Sequence, residues 1–537
     1  MMAKIFSFVR KRDGRIVPFD KNRIVQAVFK AMLVTGEGDL KDAEKVSGAV
    51  ITNLLKKKTP QEVPHIEEIQ DVVETQLILL DYPKTAKAYI LYRNERAKIR
   101  VRTQQVPEHV KQLVKESKKY FRSPLSEFIY YRTYSRWIDE EGRRETWIET
   151  INRYMNFMKE NLKDGLTDKE YEEIKKSILW QEVMPSMRLL WSSGKAARTN
   201  NCAAFNCSYI APSKLEDFSE IMFLSMSGCG VGFSVEHQTV QALPQIKKQT
   251  GKILSTHVIE DSKGGWCKAL TLGLKTWFGG KDIKFDFSKL RPQGSRLKTM
   301  GGRSSGPEPL RALLEVARAK ILAKQNQRLG TLDVHDIICK IGEVVVMGGV
   351  RRSALISLSD LHDEEMRLAK TGQFYLKESQ RAMANNSAAY NEKPSCVDFM
   401  HEWLALAESG TGERGIFNRG SLPLQVPERR WKKFKKLWPT CGTNPCGEII
   451  LRSKSFCNLS EVVARSADTE ESLLKKIRLA AIVGTYQSML TDFSYLSSEW
   501  KKNCDEERLL GVSITGQWDC SAVRKPEILA KLKAEAI

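Results

Sequence analysis

The stretch CGTNPCGEIILRSKSFCNLSEV, residues 441–462, sets an amide, a thiol and a carboxylate at alternate positions, Asn444, Cys446 and Glu448, with a further thiol at Cys457. If the backbone there is extended, side chains two apart point the same way, and the three groups can converge on one small ligand. Pro445 and Gly447 suit a loop tip more than a regular strand. The chain has 11 cysteines and no paired CxxC motifs of the zinc type. Its opening residues, MMAKIFSFVRKRDG, lack the apolar run and small-residue cleavage site of a secretory leader. Reduced thiols are therefore expected, and the chemistry they offer is redox or radical.

A cysteine most often packs as a small apolar group. Cys229, Cys267, Cys339, Cys396, Cys504 and Cys520 are read that way, Cys202 and Cys441 stay open, and patterned surroundings set Cys446 and Cys457 apart.

The elements that would position these groups begin with a separate front unit. Residues 4–19 read as two short strands around Asp13-Gly14, a dipeptide suited to a tight hairpin turn. Asp20 can cap a helix starting near Lys21. Helical stretches follow at about 41–57, 66–80 and 84–98, punctuated by Pro60, Pro64 and Pro83. From 105 to 180 the pattern is one of charged amphipathic helices. Beyond it, short apolar strands alternate with Gly-rich loops and helices, as in 225–236, 342–359 and 447–463, which argues for an α/β architecture. At 537 residues the chain is long enough for two or three domains. The net charge of +21 suggests an anionic partner, and nucleic acid and nucleotide triphosphates both meet that requirement; lysines that only solvate helices such as 428–438 are the alternative. No run of about 18 apolar residues occurs, so no membrane span is expected and the protein is placed in the cytoplasm.

The Asn-Pro-Cys-Gly-Glu run at 444–448, with Phe-Cys-Asn-Leu-Ser at 456–460, resembles ribonucleotide reductases. In that family such a tip sits on a loop inside a ten-stranded α/β barrel. The segment NCAAFNCSYIAPSKLEDF, residues 201–218, resembles the family's Asn-Cys-Ser-Tyr segment and points to Cys207, not Cys202, as the partner of Cys457. The resemblance implies a thiyl radical on Cys446 that abstracts the ribose 3′ hydrogen, Glu448 as general base, and Asn444 holding the ribose hydroxyls. Cys207 and Cys457 would supply two electrons and close to a disulfide, which a thioredoxin-like dithiol reopens. Pro185, Ser186 and Gly447 are the implied substrate contacts.

The stretch KRDGRIVPFD, residues 11–20, resembles the ATP-cone, a regulatory nucleotide-binding domain of small α+β type. It implies Lys11, Arg12 and Arg23 as phosphate contacts; an ordinary basic hairpin turn is the alternative. Segments 184–196, 224–236, 264–278 and 287–310 look like the monomeric adenosylcobalamin-dependent (class II) ribonucleoside-triphosphate reductases, and the resemblance runs through nearly the whole chain after residue 105. Adenosylcobalamin is then the implied cofactor, with ATP or dATP and deoxynucleoside triphosphates as effectors. The implied domains are an ATP-cone at 1–100, a helical segment at 101–183 and the catalytic barrel at 184–537, with an effector-binding insertion around 237–330. Met300, Gly301, Gly302, Arg303, Ser304 and Ser305 would form the loop that relays effector identity; a passive connector is the alternative. Arg351 and Arg352 could hold phosphate or form salt bridges. No protein-held metal is expected.

Against the family pattern, the last barrel strands, a Ser/Thr-rich phosphate loop and a C-terminal cysteine pair are missing. A companion chain that completes the barrel is one expectation. The alternatives are a catalytic subunit fed by a separate metal-radical subunit, or a truncated, non-catalytic nucleotide-binding protein. A nucleic-acid-binding role rests on charge alone, and the 11 tryptophans sit mostly in amphipathic patterns that suit core packing.

Overall fold

The structure is a computed structural model that describes residues 6–11, 16–60, 62–102, 107–297, 299, 303–347 and 354–537. The chain forms two compact units, Met1–Gln112 and Leu113–Ile537.

In the first unit, strands β1 (Phe8–Arg10) and β2 (Ile16–Pro18) pair antiparallel, Phe8 opposite Pro18. The Asp13-Gly14 turn lies outside the described residues. Asp20 caps the helix Lys21–Thr35 by accepting the Asn22 N–H at 2.9 Å, and the helix ends at Gly36, whose φ of 66° suits a residue without a Cβ. Asp39 and Asp42 form a reciprocal capping box at the start of the helix Leu40–Lys57. The helices Ile66–Leu79 and Pro83–Arg102 complete the unit, and Val28, Met32, Val46, Val50 and Leu77 close its own apolar core.

The second unit is mixed α/β. Its strands are β3 (Val183–Met184), β4 (Cys207–Ile210), β5 (Gly230–Ser234), β6 (Ile253–Val258), β7 (Asp282–Asp286), β8 (Leu355–Asp360), β9 (Ala384–Tyr390), β10 (Gly415–Asn418), β11 (Gly442–Thr443), β12 (Ile450–Leu451), β13 (Ser455–Cys457), β14 (Leu459–Val463) and β15 (Gly511–Thr515). Six of them form one sheet in the order β10-β9-β8-β5-β4-β13. The first five run parallel; β13 is antiparallel to β4. A second sheet has the order β15-β14-β3, and β14 follows β13 after one residue. Among the described residues these two sheets do not join into a closed ring.

The parallel strands are covered by helices, as parallel sheets require. The helices Leu215–Met226, Lys263–Phe278, Glu308–Ala323 and Thr331–Met347 pack in a ring of four. Two of them, with the parallel pair β6 and β7, belong to residues 237–330 and make a small sheet apart from the main one. Within 342–359 only Leu355–Asp360 is strand; Gly342–Met347 closes the preceding helix, and Val344 and Val345 are buried against the core.

Candidate active site

β11 and β12 form a hairpin, with Gly442 opposite Leu451 and Thr443 opposite Ile450, and its tip is residues 444–449. The stem lies against the main sheet through glycines. A Cβ at Gly232 would stand 1.9 Å from the Thr443 carbonyl oxygen, and one at Gly442 would stand 2.1 Å from the Tyr209 ring. Only the missing side chains allow backbone to approach this closely.

At the tip the backbone turns rather than running extended. The Gly447 N–H donates to the Asn444 carbonyl at 2.9 Å, and Gly447 has a φ of 83°. The tip is thus the loop that Pro445 and Gly447 suit, and not the extended strand on which alternate side chains share a face. Cys446 and Glu448 are exposed, whereas Asn444 is fully buried. The Asn444 side-chain oxygen accepts the Ile449 N–H at 3.0 Å and the Thr443 hydroxyl at 3.3 Å, while its Nδ2 has no hydrogen-bond partner among the described residues. A buried donor of this kind is costly unless a ligand or water takes its hydrogens.

Beside the hairpin, β4 and β13 place Cys207 directly opposite Cys457. Cys207 is half-buried and Cys457 almost wholly buried, and no disulfide links any of the 11 cysteines. A hydrogen bond with Cys207 and then burial push the Cys457 thiol well above its usual range; the negative charge of Glu448 adds to the shift.

Cys202 and Cys441, left open by sequence, are buried, and burial pushes both thiols up, Cys441 to about 12. Cys229, Cys339, Cys504 and Cys520 are buried and Cys267 half-buried, as packing residues. Cys396 departs from that expectation. It stands exposed at the start of the helix Cys396–Ser409, whose buried position goes instead to Glu402, paired with Arg367 and Arg414.

Pro185 and Ser186 are buried at the end of β3, and the Ser186 hydroxyl accepts the Leu189 N–H at 3.2 Å as a helix cap. Arg303 is exposed and donates to the Gly294 carbonyl. Ser304 and Ser305 line a cavity of about 540 Å³ with Ser262, Lys263, Arg291 and Tyr495. The Lys263 ammonium donates to Ser227 at 3.0 Å and lies over the Phe223 ring, and burial lowers its pKa. Met300, Gly301, Gly302, Arg351 and Arg352 lie outside the described residues. So does Arg12; Lys11 is half-buried, and Arg23 is exposed 3.6 Å from Asp20.

Sequence reasoning missed the buried pair Glu236–Arg419 at the foot of the hairpin, 2.7 Å apart. Glu236 follows a buried apolar strand, the one place where a carboxylate signals a partner; nothing marks Arg419 in advance.

Known proteins resemble this chain in part and over much of its length. Residues 7–98 match the ATP cone domain, and residues 106–195 match the ribonucleotide reductase alpha domain. The chain is 29% identical over 476 residues to an adenosylcobalamin-dependent ribonucleoside-triphosphate reductase of Lactobacillus delbrueckii subsp. bulgaricus, covering 76% of this chain and 63% of that protein. A protein of the same description from Euglena gracilis is 27% identical over 420 residues, covering 73% of this chain and 55% of its own. The chain thus spans less than two thirds of the length of these relatives. Among solved structures, that of a B-12 dependent (class II) ribonucleotide reductase is similar with a TM-score of 0.62 and 25% identity, covering 76% of this chain and 65% of that one. Among the described residues no helix is long and apolar enough to cross a membrane.

Proposed function

We propose that this chain, a relative of the ribonucleotide reductases that carries an ATP cone ahead of an alpha domain, reduces ribonucleoside triphosphates to 2′-deoxyribonucleotides. The observation that carries the reading is the facing pair Cys207 and Cys457 beside a hairpin that presents Cys446 at its tip. The domains read from sequence, with the ATP-cone over 1–100, the helical segment over 101–183 and the catalytic part over 184–537, are proposed with it.

Adenosylcobalamin, named in the relatives' description, would supply the unpaired electron by homolysis of its cobalt–carbon bond. Cys446 fits such a source in one respect, because its exposed position at the tip leaves its sulfur within reach of a large ligand. With Cys446 as thiyl, its sulfur takes the 3′ hydrogen atom of the ribose. Glu448 accepts the 3′ hydroxyl proton, and the Asn444 Nδ2, without a partner among the described residues, holds a ribose hydroxyl. The 2′ hydroxyl leaves as water, taking a proton from the cysteine pair. Cys207 and Cys457 together give two electrons and two protons and become a disulfide, and Cys446 returns its hydrogen atom to C3′. The balance is one ribonucleotide and two thiols in, one deoxyribonucleotide, one water and one disulfide out. An external thioredoxin-like dithiol reopens the pair.

Residues 237–330 hold effector nucleotides in the cavity bordered by Ser304 and Ser305. Lys263 there suits phosphate, and Tyr495, stacked with Phe223, offers a face for a base. Lys11 and Arg23, with Arg12, hold a nucleotide on the front unit. A companion polypeptide adds strands to the main fold. Supporting this, β10 and β15 are edge strands, a groove of about 830 Å³ runs beside Val512 and Ile514 of β15, and Val397, Met400, Trp403 and Leu404 expose an apolar stripe on the helix before β10.

The test is an anoxic assay with labelled ribonucleoside triphosphate, adenosylcobalamin and dithiothreitol, using the chain alone and with a companion polypeptide. Deoxynucleotide that disappears in Cys446→Ser supports the reading. Intact nucleotide binding with no product under any of these conditions rejects it.

A further inference from the structure

Arg419 follows β10 and is buried, and so is Glu236, two residues beyond β5. The two terminal nitrogens of Arg419 each donate to one carboxylate oxygen of Glu236 at 2.7 Å, and one of them also donates to the Asn391 side-chain oxygen at 2.7 Å. The Glu236 carboxylate further accepts the Ser234 hydroxyl at 3.0 Å. A buried ion pair rarely repays its desolvation in stability, so its geometry is the more informative property. Here the remaining donor, Nε, is aimed at neither carboxylate nor solvent. It donates to the Cys441 carbonyl at 2.9 Å, the residue immediately before the hairpin stem.

The guanidinium thus ties the ends of three strands of one sheet, β5 through Glu236, β9 through Asn391 and β10 through its own backbone, across the intervening β8, to the foot of the loop that carries Cys446. A rigid planar fork suits this use, because fixing two donors on a carboxylate fixes the direction of the others. Lysine carries the charge but cannot make both contacts in this geometry.

We infer that Arg419 is a positioning residue: anchored by Glu236 and Asn391, it sets where the 442–451 hairpin stands on the sheet, and so where the Cys446 sulfur stands relative to Cys207 and Cys457. The inference rests on the reductase reading for its purpose but not for its test. Cys396 and Cys446 are the two exposed cysteines of the chain, so nitroxide labels on them report the hairpin position directly, in a background with the half-buried Cys207 and Cys267 both replaced by serine and with the full chain. The unmodified clamp gives one narrow distance distribution. Arg419→Lys and Glu236→Gln broaden it at least twofold while circular dichroism still reports a folded chain. Should Arg419→Lys unfold, Asn391→Ala decides, since it removes one arm of the clamp and leaves the ion pair. Folded variants with the narrow distribution unchanged overturn the proposal. In the reduction assay, without labels, the same variants lower kcat at least tenfold with KM within twofold; an unmodified chain that makes no product while the distances still broaden refutes the reductase reading alone.

Discussion

Cys207 and Cys457 occupy directly opposed positions on antiparallel strands, half-buried against almost wholly buried. Opposed residues of this kind have Cβ atoms roughly 4.5–5.5 Å apart, against about 3.5–4.5 Å in a disulfide. Closing the bond therefore asks for a small approach of β4 and β13 rather than a rearrangement. Mild oxidation should give Cys207–Cys457 as the predominant intrachain disulfide, read by peptide mapping under non-reducing conditions. A dominant bond from either cysteine to Cys202 or Cys229 would contradict the geometry.

The same pair sets a pH dependence. The hydrogen bond with Cys207, and then burial, hold the proton on Cys457 more tightly in the folded chain than in the unfolded one. The stability this contributes is fully present below the unfolded thiol pKa of about 8.5 and is lost as pH rises towards the higher folded value. The melting temperature should fall above about pH 9 more steeply in the parent than in Cys457→Ser. Alkylation of Cys457 should keep rising through pH 9 without a plateau. Parallel melting curves for the two proteins would rule the assignment out.

Gly232 is the position where the hairpin stem comes closest to the sheet. Alanine there places a methyl 1.9 Å from the Thr443 carbonyl, so strand and stem must separate. Overpacking of this kind costs about 1–3 kcal/mol, and a clash with backbone sits at the upper end. Gly232→Ala should melt several degrees lower in its second unit and lose most of any reductase activity, measured by calorimetry and turnover. Gly251→Ala, where a Cβ meets nothing but φ is positive, should show backbone strain without loss of activity.

The cavity bordered by Lys263, Ser304 and Ser305 offers a separate test. Lys263→Met keeps the length of the side chain and removes the charge. If phosphate is held there, effector nucleotides should bind about tenfold more weakly, a loss of about 1.4 kcal/mol, with binding less sensitive to salt. Isothermal titration with a deoxynucleoside triphosphate measures both quantities, and unchanged affinity would move the effector elsewhere.

The local rules of the sequence carried far in the front unit. Asp20 caps the first helix as its position suggested, and the prolines at 60, 64 and 83 bracket the helices found. The pairing of Cys207 with Cys457 across 250 residues came from resemblance, not from spacing, and the strand register places the two face to face. Pro445 and Gly447 marked 444–448 as a loop tip more than a strand, but its exact turn was not legible. A positive φ at Gly447 and the capture of the Ile449 N–H by Asn444 turn the tip, and these depend on a stem held by distant residues. Arg419 was illegible for the same reason: its partners lie 22 to 183 residues away, and no local pattern encodes them. Cys396 was misread because its helix buries a glutamate and turns apolar residues outward, a choice made by Arg367 and Arg414 on other elements.

The first unit closes its own core around Val28, Met32, Val46 and Leu77, and the second closes another without drawing on it. A gain or loss of the first can therefore spread through descendants of the gene without asking the remainder to refold. Under the proposed function, a nucleotide response carried by the first unit and thiol chemistry carried by the second could then change independently of one another.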